Sequence, residues 1–153
     1  SLESFSGVFR RFEVKYNKEI LVIDDYAHHP TEAAATLKGI RDGWDRRLIA
    51  VFQPHLYTRT RDFSQDFARA FLNSDVFICT DVYPARELPI EGVTGELISG
   101  ITKKFGHKNV HYVADKNNVP ALLNEIKKDG DIIVTMGAGD IWKYGEKFVA
   151  MLN

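Results

Sequence analysis

The sequence predicts an α/β fold, an open and mostly parallel sheet with helices on both faces. Three observations predict it. Short apolar runs of strand length recur along the chain: EILVI at 19–23, RLIAVF at 47–52, DVFICT at 75–80 and DIIVT at 131–135. Between them, apolar residues return at helical spacing. Most of the runs stop abruptly at proline, glycine or a polar cluster. Near-continuous apolar strands are those covered on both faces. Strand–helix alternation builds parallel units with right-handed crossovers.

Each element follows in order. Residues 8–16 (VFRRFEVKY) alternate apolar and polar, the period of a half-buried strand, and Asn17-Lys18 makes a turn. The strand at 19–23 is followed by Asp24-Asp25-Tyr26-Ala27-His28-His29-Pro30. Thr31 is placed to cap a helix to Gly43, with Ala34, Leu37 and Ile40 on one face. The strand at 47–52 is stopped by Pro54. A helix over 60–72 follows, with Phe63, Phe67, Ala70 and Phe71 on its apolar face. The strand at 75–80 leads into a loop over 81–89, then a helix over 94–105. A short strand at 110–113, a helix over 119–128, the strand at 131–135 and, after Gly137-Ala138-Gly139, a helix to Leu152 complete the chain. Together these define a Rossmann-like domain.

Composition narrows the class. The chain has 153 residues, enough for one domain with its own core. Hydrophobic residues at 44% and charged residues at 27% exclude wholesale disorder. Twenty Lys and Arg against twenty-one Asp and Glu argue against a dedicated nucleic-acid binder, which carries a basic excess. A single cysteine, Cys79, excludes an internal disulfide framework and fits a reducing, cytoplasmic setting. No apolar run has the length of a membrane span, and no signal peptide opens the sequence.

Ligands of open parallel sheets bind beyond the carboxyl ends of the strands. Four polar clusters fall there, each with two readings. Asp24-Asp25 is either a turn or a carboxylate for ribose hydroxyls or a metal. His28 and His29 either pack and cap or meet a ligand. No third ligand stands at a spacing that would suggest zinc. Residues 53–61 (QPHLYTRTR) place Arg59 and Arg61 near a helix start, which makes either an anion site or a solvated basic face. Residues 83–87 form a plain loop or a pocket wall. Gly137-Ala138-Gly139 begins like a dinucleotide fingerprint, but Trp142 stands where the third glycine belongs. It reads as a tight turn whose amides meet an anion. Arg10-Arg11 reads as a charged strand edge, His107 and His111 as surface residues, and Cys79 as buried. No Gly-Lys dipeptide occurs, so there is no Walker A loop.

Taken together, Ser6-Gly7-Val8, Arg10-Arg11-Phe12-Glu13, Asp24 to Glu32, Phe52-Gln53-Pro54-His55 with Tyr57-Thr58-Arg59-Thr60, Val82 to Glu87 and Met136 to Ile141 resemble the C-terminal domain of the Mur ligases. The resemblance covers essentially the whole chain, in matching order. It implies that residues 1–7 are a linker from a missing central domain and that 8–153 are the C-terminal domain. It implies ATP-dependent amide formation through an acyl phosphate, in the branch that joins L-alanine to UDP-N-acetylmuramate for peptidoglycan. The N-terminal domain would bind the UDP-sugar, and the central one would carry the P-loop and the Mg2+ ligands. No metal ligand falls on this chain, which alone would be inactive. By the same resemblance Arg11 faces the nucleotide phosphates and Asp25 the ATP ribose. Tyr26, His28, His55 and Arg59 surround the amino acid, with Arg11 and His28 in the catalytic set. Leu56 stands where relatives carry a second arginine, which leaves Arg59 as the main cation. The competing readings are a non-enzymatic nucleotide- or phosphate-binding module and a nucleic-acid-binding domain, which a salt titration would separate.

Overall fold

The structure, a computed structural model, describes residues 12–152. Arg10, Arg11 and the 1–7 linker lie outside the described residues. So does the first part of the 8–16 strand.

Among the described residues six strands form one sheet, in the order β1-β2-β6-β3-β4-β5. They are β1 (Glu13–Asn17), β2 (Leu21–Asp25), β3 (Leu48–Phe52), β4 (Val76–Thr80), β5 (Val110–Val113) and β6 (Ile132–Met136). β1 runs antiparallel to β2, as a short hairpin requires, and the other pairings are parallel. The helices are α1 (Pro30–Gly43), α2 (Tyr57–Asp62), α3 (Ser64–Phe71), α4 (Gly95–Lys104), α5 (Val119–Ile126) and α6 (Ile141–Leu152).

Strand side chains alternate between two cores. Leu21, Ile23, Ala50, Phe52, Phe77 and Val134 meet Leu37, Ile40, Phe67, Phe71 and Ile98 of α1, α3 and α4. Val22, Ile49, Val51, Ile78 and Ile133 meet Val119, Leu123, Ile141 and Phe148 of α5 and α6 on the other face. This is why the strands read as continuous apolar runs. The first core is anchored by rings: Phe52 lies 4.9 Å from Phe67 and 4.8 Å from Phe71, which stacks on Phe77 at 4.3 Å. Cys79 is fully buried there, and burial pushes its thiol well above the ordinary range.

Several expectations are corrected. Helix α1 is capped at His29, not Thr31. Pro30 suits the first helical position, and Glu32 accepts from the His28 and His29 amides at 3.1 Å each. The expected 60–72 helix is two, α2 and α3, which meet at Phe63, and Phe63 is exposed. Strand β2 runs two residues further than expected, so that Asp24 and Asp25 belong to it and are buried. His107 is half-buried and tied to the Ser74 carbonyl at 2.8 Å.

Candidate functional site

The loops leaving β2, β3, β4 and β6 meet above the carboxyl edge of the sheet. Beyond β3 the chain continues in parallel pairing with the segment after β4. The Tyr83 amide donates to the Pro54 carbonyl at 2.8 Å, and the Leu56 amide to the Tyr83 carbonyl at 2.9 Å. That pairing brings His55 and Tyr83 together, with rings stacked 5.6 Å apart at 11°. Leu56 pivots with φ 74°, a conformation unusual for a non-glycine residue.

Asp25 supports the next loop. Its Oδ1 accepts from the Ala27 amide at 2.9 Å and its Oδ2 from the Thr36 hydroxyl at 2.7 Å, and the residue is 2% exposed. This Asx-type turn throws Tyr26 and His28 to the rim. Their rings lie 5.1 Å apart, and His28 is 6.1 Å from His55. A row of rings therefore runs Tyr26, His28, His55, Tyr83. His29 turns aside toward Phe63, at 6.5 Å. Burial, with the neighbouring Arg59 and His28, holds both the His29 and His55 imidazoles below the ordinary histidine pKa.

Arg59 reaches back one helical turn to His55. Its Nη1 lies 3.3 Å from His55 Nδ1 and 3.3 Å from the His55 carbonyl. Among the described residues its side-chain hydrogen bonds go to His55 alone. The structure thus brings together Tyr26, His28, His55 and Arg59, with Asp25 beneath them. Arg11 lies outside the described residues.

Protein groups take up helix-start amides at both anion sites read from the sequence. Glu87 caps α2, accepting from the Tyr57 and Thr58 amides and from the Thr58 hydroxyl. The Thr58 hydroxyl, the two amides and Arg59 together hold its carboxyl below the usual range. Arg61 points away and pairs with Asp62 at 2.8 Å. At the start of α6, the Asp140 and Ile141 amides donate to Gln53 Oε1 at 3.0 and 3.1 Å and so are not open to an anion.

Gln53 is the residue that sequence reasoning undervalued. Besides taking those amides, its Nε2 donates to Asp140 Oδ1 at 2.8 Å. Lys116 pairs with both Asp140 oxygens at 2.8 Å and sits over the Tyr83 and Tyr144 rings, at 5.5 and 5.7 Å. Burial raises the Asp140 pKa, but the bonds from Lys116 and Gln53 outweigh it and hold the carboxyl low. Gly139 is required here, because a Cβ would stand 2.6 Å from Gln53 Oε1 and 2.7 Å from the Tyr83 ring. Gln53, Tyr83 and Lys116 line a cleft of about 160 Å³ with Asp81 and Asp115. No local motif announces Lys116, whose partner is 24 residues on in sequence.

The chain belongs to the Mur ligase family: residues 10–139 match the family model "Mur ligase, glutamate ligase domain". Over 152 residues it is 50% identical to UDP-N-acetylmuramate–L-alanine ligase of Geotalea uraniireducens, a match covering 99% of this chain and 33% of that protein. The crystal structure of UDP-N-acetylmuramate-alanine ligase from Thermotoga maritima superposes with a TM-score of 0.79 at 28% identity, over 99% of this chain and 31% of the other. A murein peptide ligase from Psychrobacter arcticus gives 0.77 at 25% identity, over 94% and 30%. The chain therefore spans about a third of the length of the curated relatives it matches. No helix among the described residues is long and apolar enough to cross a membrane.

Proposed function

We propose that this chain is the C-terminal domain of a cytoplasmic, ATP-dependent ligase that joins L-alanine to UDP-N-acetylmuramate through an acyl phosphate. The observation that carries the reading is the convergence of Tyr26, His28, His55 and Arg59 on one rim, in a chain 50% identical to a ligase of that name. The amino-acid carboxylate is assigned to Arg59, whose planar fork suits a carboxylate and is engaged only at one edge by His55. The rings of Tyr26, His28 and His55 are assigned to the side-chain end of the amino acid.

Arg11 is proposed to face the transferring phosphate, with His28 on the amino-acid side. Asp25 is proposed to meet the ATP ribose through lone pairs that its two internal bonds leave unused, with Thr36 yielding to admit the hydroxyl. Among the described residues no three His, Cys, Asp or Glu side chains converge on a metal site. Mg2+ is assigned to the central domain, as the family resemblance implies, and no step on this chain runs through it. What this domain contributes is position: an amine held against an activated carbonyl reacts as an intramolecular partner. The partners are thus ATP, the UDP-sugar, L-alanine and the two other domains of the same enzyme.

The test is an assay of the full-length protein and of this chain alone, each with ATP, Mg2+, L-alanine and UDP-N-acetylmuramate. Alanine-dependent phosphate release by the full-length protein, with none by the chain alone, is expected. Turnover by the chain alone, or no alanine dependence in the full-length protein, would refute the reading.

A further inference from the structure

Tyr83 borders two spaces at once. Its ring stacks on His55 at 5.6 Å, and it lines the cleft of about 160 Å³ that lies beyond β4 and β5. That cleft opens where α4, after β4, packs on one face of the sheet and α5, after β5, on the other. Such a change of side makes the crevice in which α/β sheets take ligands. The wall between rim and cleft is firmly held. The Tyr83 amide donates to the Pro54 carbonyl at 2.8 Å, and the Tyr83 carbonyl accepts from the Leu56 amide at 2.9 Å. Gly139 packs so close that a Cβ there would stand 2.7 Å from the ring. Lys116 Nζ lies 5.5 Å from the ring centroid. The ammonium is itself fixed, because both Asp140 oxygens hold it at 2.8 Å and Gln53 Nε2 holds Asp140 Oδ1 at 2.8 Å. Further along the same loop, Glu87 takes the Tyr57 and Thr58 amides.

We propose that Tyr83 is a specificity-determining wall, which limits the ligase to a one-carbon amino-acid side chain by closing the rim off from the cleft behind it, and that Lys116 with Asp140 is the positioning pair that holds the ring there. This rests on the reading that the rim takes the amino acid. A longer side chain directed at Tyr83 has to displace the ring. Displacement breaks the stack on His55 and draws the ring away from Lys116, and the backbone pairing with the β3 loop gives it no easy way to yield. A close-packed wall of this kind responds to single methylenes, which a loose one does not. Without the ring, the cleft lined by Gln53 and Lys116 joins the rim and takes the added carbons. Neither Tyr83 nor Lys116 takes part in a bond-making step; they act on which amino acid is admitted.

The test is made on the full-length ligase, reading kcat/KM for L-alanine, L-α-aminobutyrate and L-norvaline. In the wild type the values should fall with each added methylene. Tyr83→Ala should raise the ratio of L-norvaline to L-alanine use by about tenfold, the scale on which apolar pockets sort methylenes. Tyr83→Phe keeps the ring and should keep the wild-type ratio. Lys116→Met keeps the stem but drops the charge. It should raise the same ratio about threefold, the scale of one exposed cation–π contact, whereas Lys116→Arg should not. A group that only supported the fold would lower all three substrates alike, so equal losses would overturn the proposal. So would a wild type that uses L-norvaline as well as L-alanine, or a ratio unchanged in Lys116→Met, which leaves the Tyr83 backbone pairing intact and decides the question where Tyr83→Ala fails to fold. A wild type that releases no phosphate with any of the three would instead overturn the ligase reading beneath it.

Discussion

Arg47 enters β3 and Arg59 follows its exit, and the two are held in opposite ways. At the lower rim, Arg47 Nη1 bonds Asp131 Oδ2 at 3.0 Å and the Ile126 carbonyl at 3.3 Å. Asp131 is 1% exposed and also caps the Lys128 amide. Arg46 ties the Gly130 carbonyl, while Arg41 ties Asp75 and the Asn73 carbonyl. Burial raises the Asp75 pKa, but the bonds from Arg41 and the Leu48 amide hold it below the carboxylate range. Each arginine there fastens one loop to another. At the upper rim, among the described residues, the Arg59 side chain bonds only His55, at Nδ1 and the carbonyl. Charges tied to groups distant in sequence hold a fold together, and a charge tied only to a residue four positions away is the one available to a ligand.

The largest effect should come from the lower rim. Asp131→Ala leaves Arg47 and the Lys128 amide without their partner. Removing one member of a buried pair costs about 3–5 kcal/mol, and the lower figure applies because Arg47 is 27% exposed. Urea unfolding of the domain should show a loss of about 3 kcal/mol. A loss below 1 kcal/mol would mean that water replaces the carboxylate and that the lower rim is not the staple described.

Gln53 blurs the division, since it belongs to the upper rim but is 1% exposed and fully engaged. Gln53→Leu strands the two amides at the start of α6 and one side of Asp140. Each unsatisfied buried group costs about 1–3 kcal/mol, but α6 can shift toward water, so a loss of about 2 kcal/mol is expected in the same unfolding assay. If stability is untouched while ligation falls, Gln53 acts on substrate and not on the fold.

These residues also mark what the sequence alone can reveal. The central strands were legible because both faces of the sheet are covered, so that β2, β3, β4 and β6 read as apolar runs. Tyr26, His28, His55 and Arg59 were legible because each follows a strand end closely. The Gln53–Asp140–Lys116 group was not, since it joins three separate loops and depends on tertiary approach alone. Glu87 was hidden for the same reason, 29 residues from the Thr58 amide it caps. Glu32 had a visible signal, the acid three residues after a helix cap, but that signal points to capping and is silent about the imidazole next to it.

Arg59→Lys should sharpen the contrast with Arg47. The lysine keeps the charge but loses the fork, so the full-length enzyme should need about tenfold more L-alanine for half-saturation, equivalent to one charge-assisted bond of about 1.5 kcal/mol. The KM for ATP and the unfolding midpoint should barely move. A drop in stability comparable to that of Asp131→Ala would place Arg59 among the fold's staples.

The smallest effect is a pH dependence confined to the upper rim. His29 and His55 both have pKa values lowered from 6.5, chiefly by burial and by Arg59. Below that value the unfolded chain binds protons on these rings that the folded one refuses, so stability rises with pH through this window. The contribution is complete above about pH 6.5 and is lost as pH falls toward the lowered folded values. The carboxylates of Asp75, Asp140 and Glu87 are also held low, but their contribution is present above ordinary carboxylate pKa values of about 4 and is lost only below them. The two windows therefore separate. Urea unfolding at steps from pH 8 to pH 5 should show a decline that begins near pH 6.5, and His29→Gln with His55→Gln should flatten it. A decline that survives both substitutions would assign the titration to groups elsewhere, and a profile flat down to pH 5 would show that the rim accepts protons without cost.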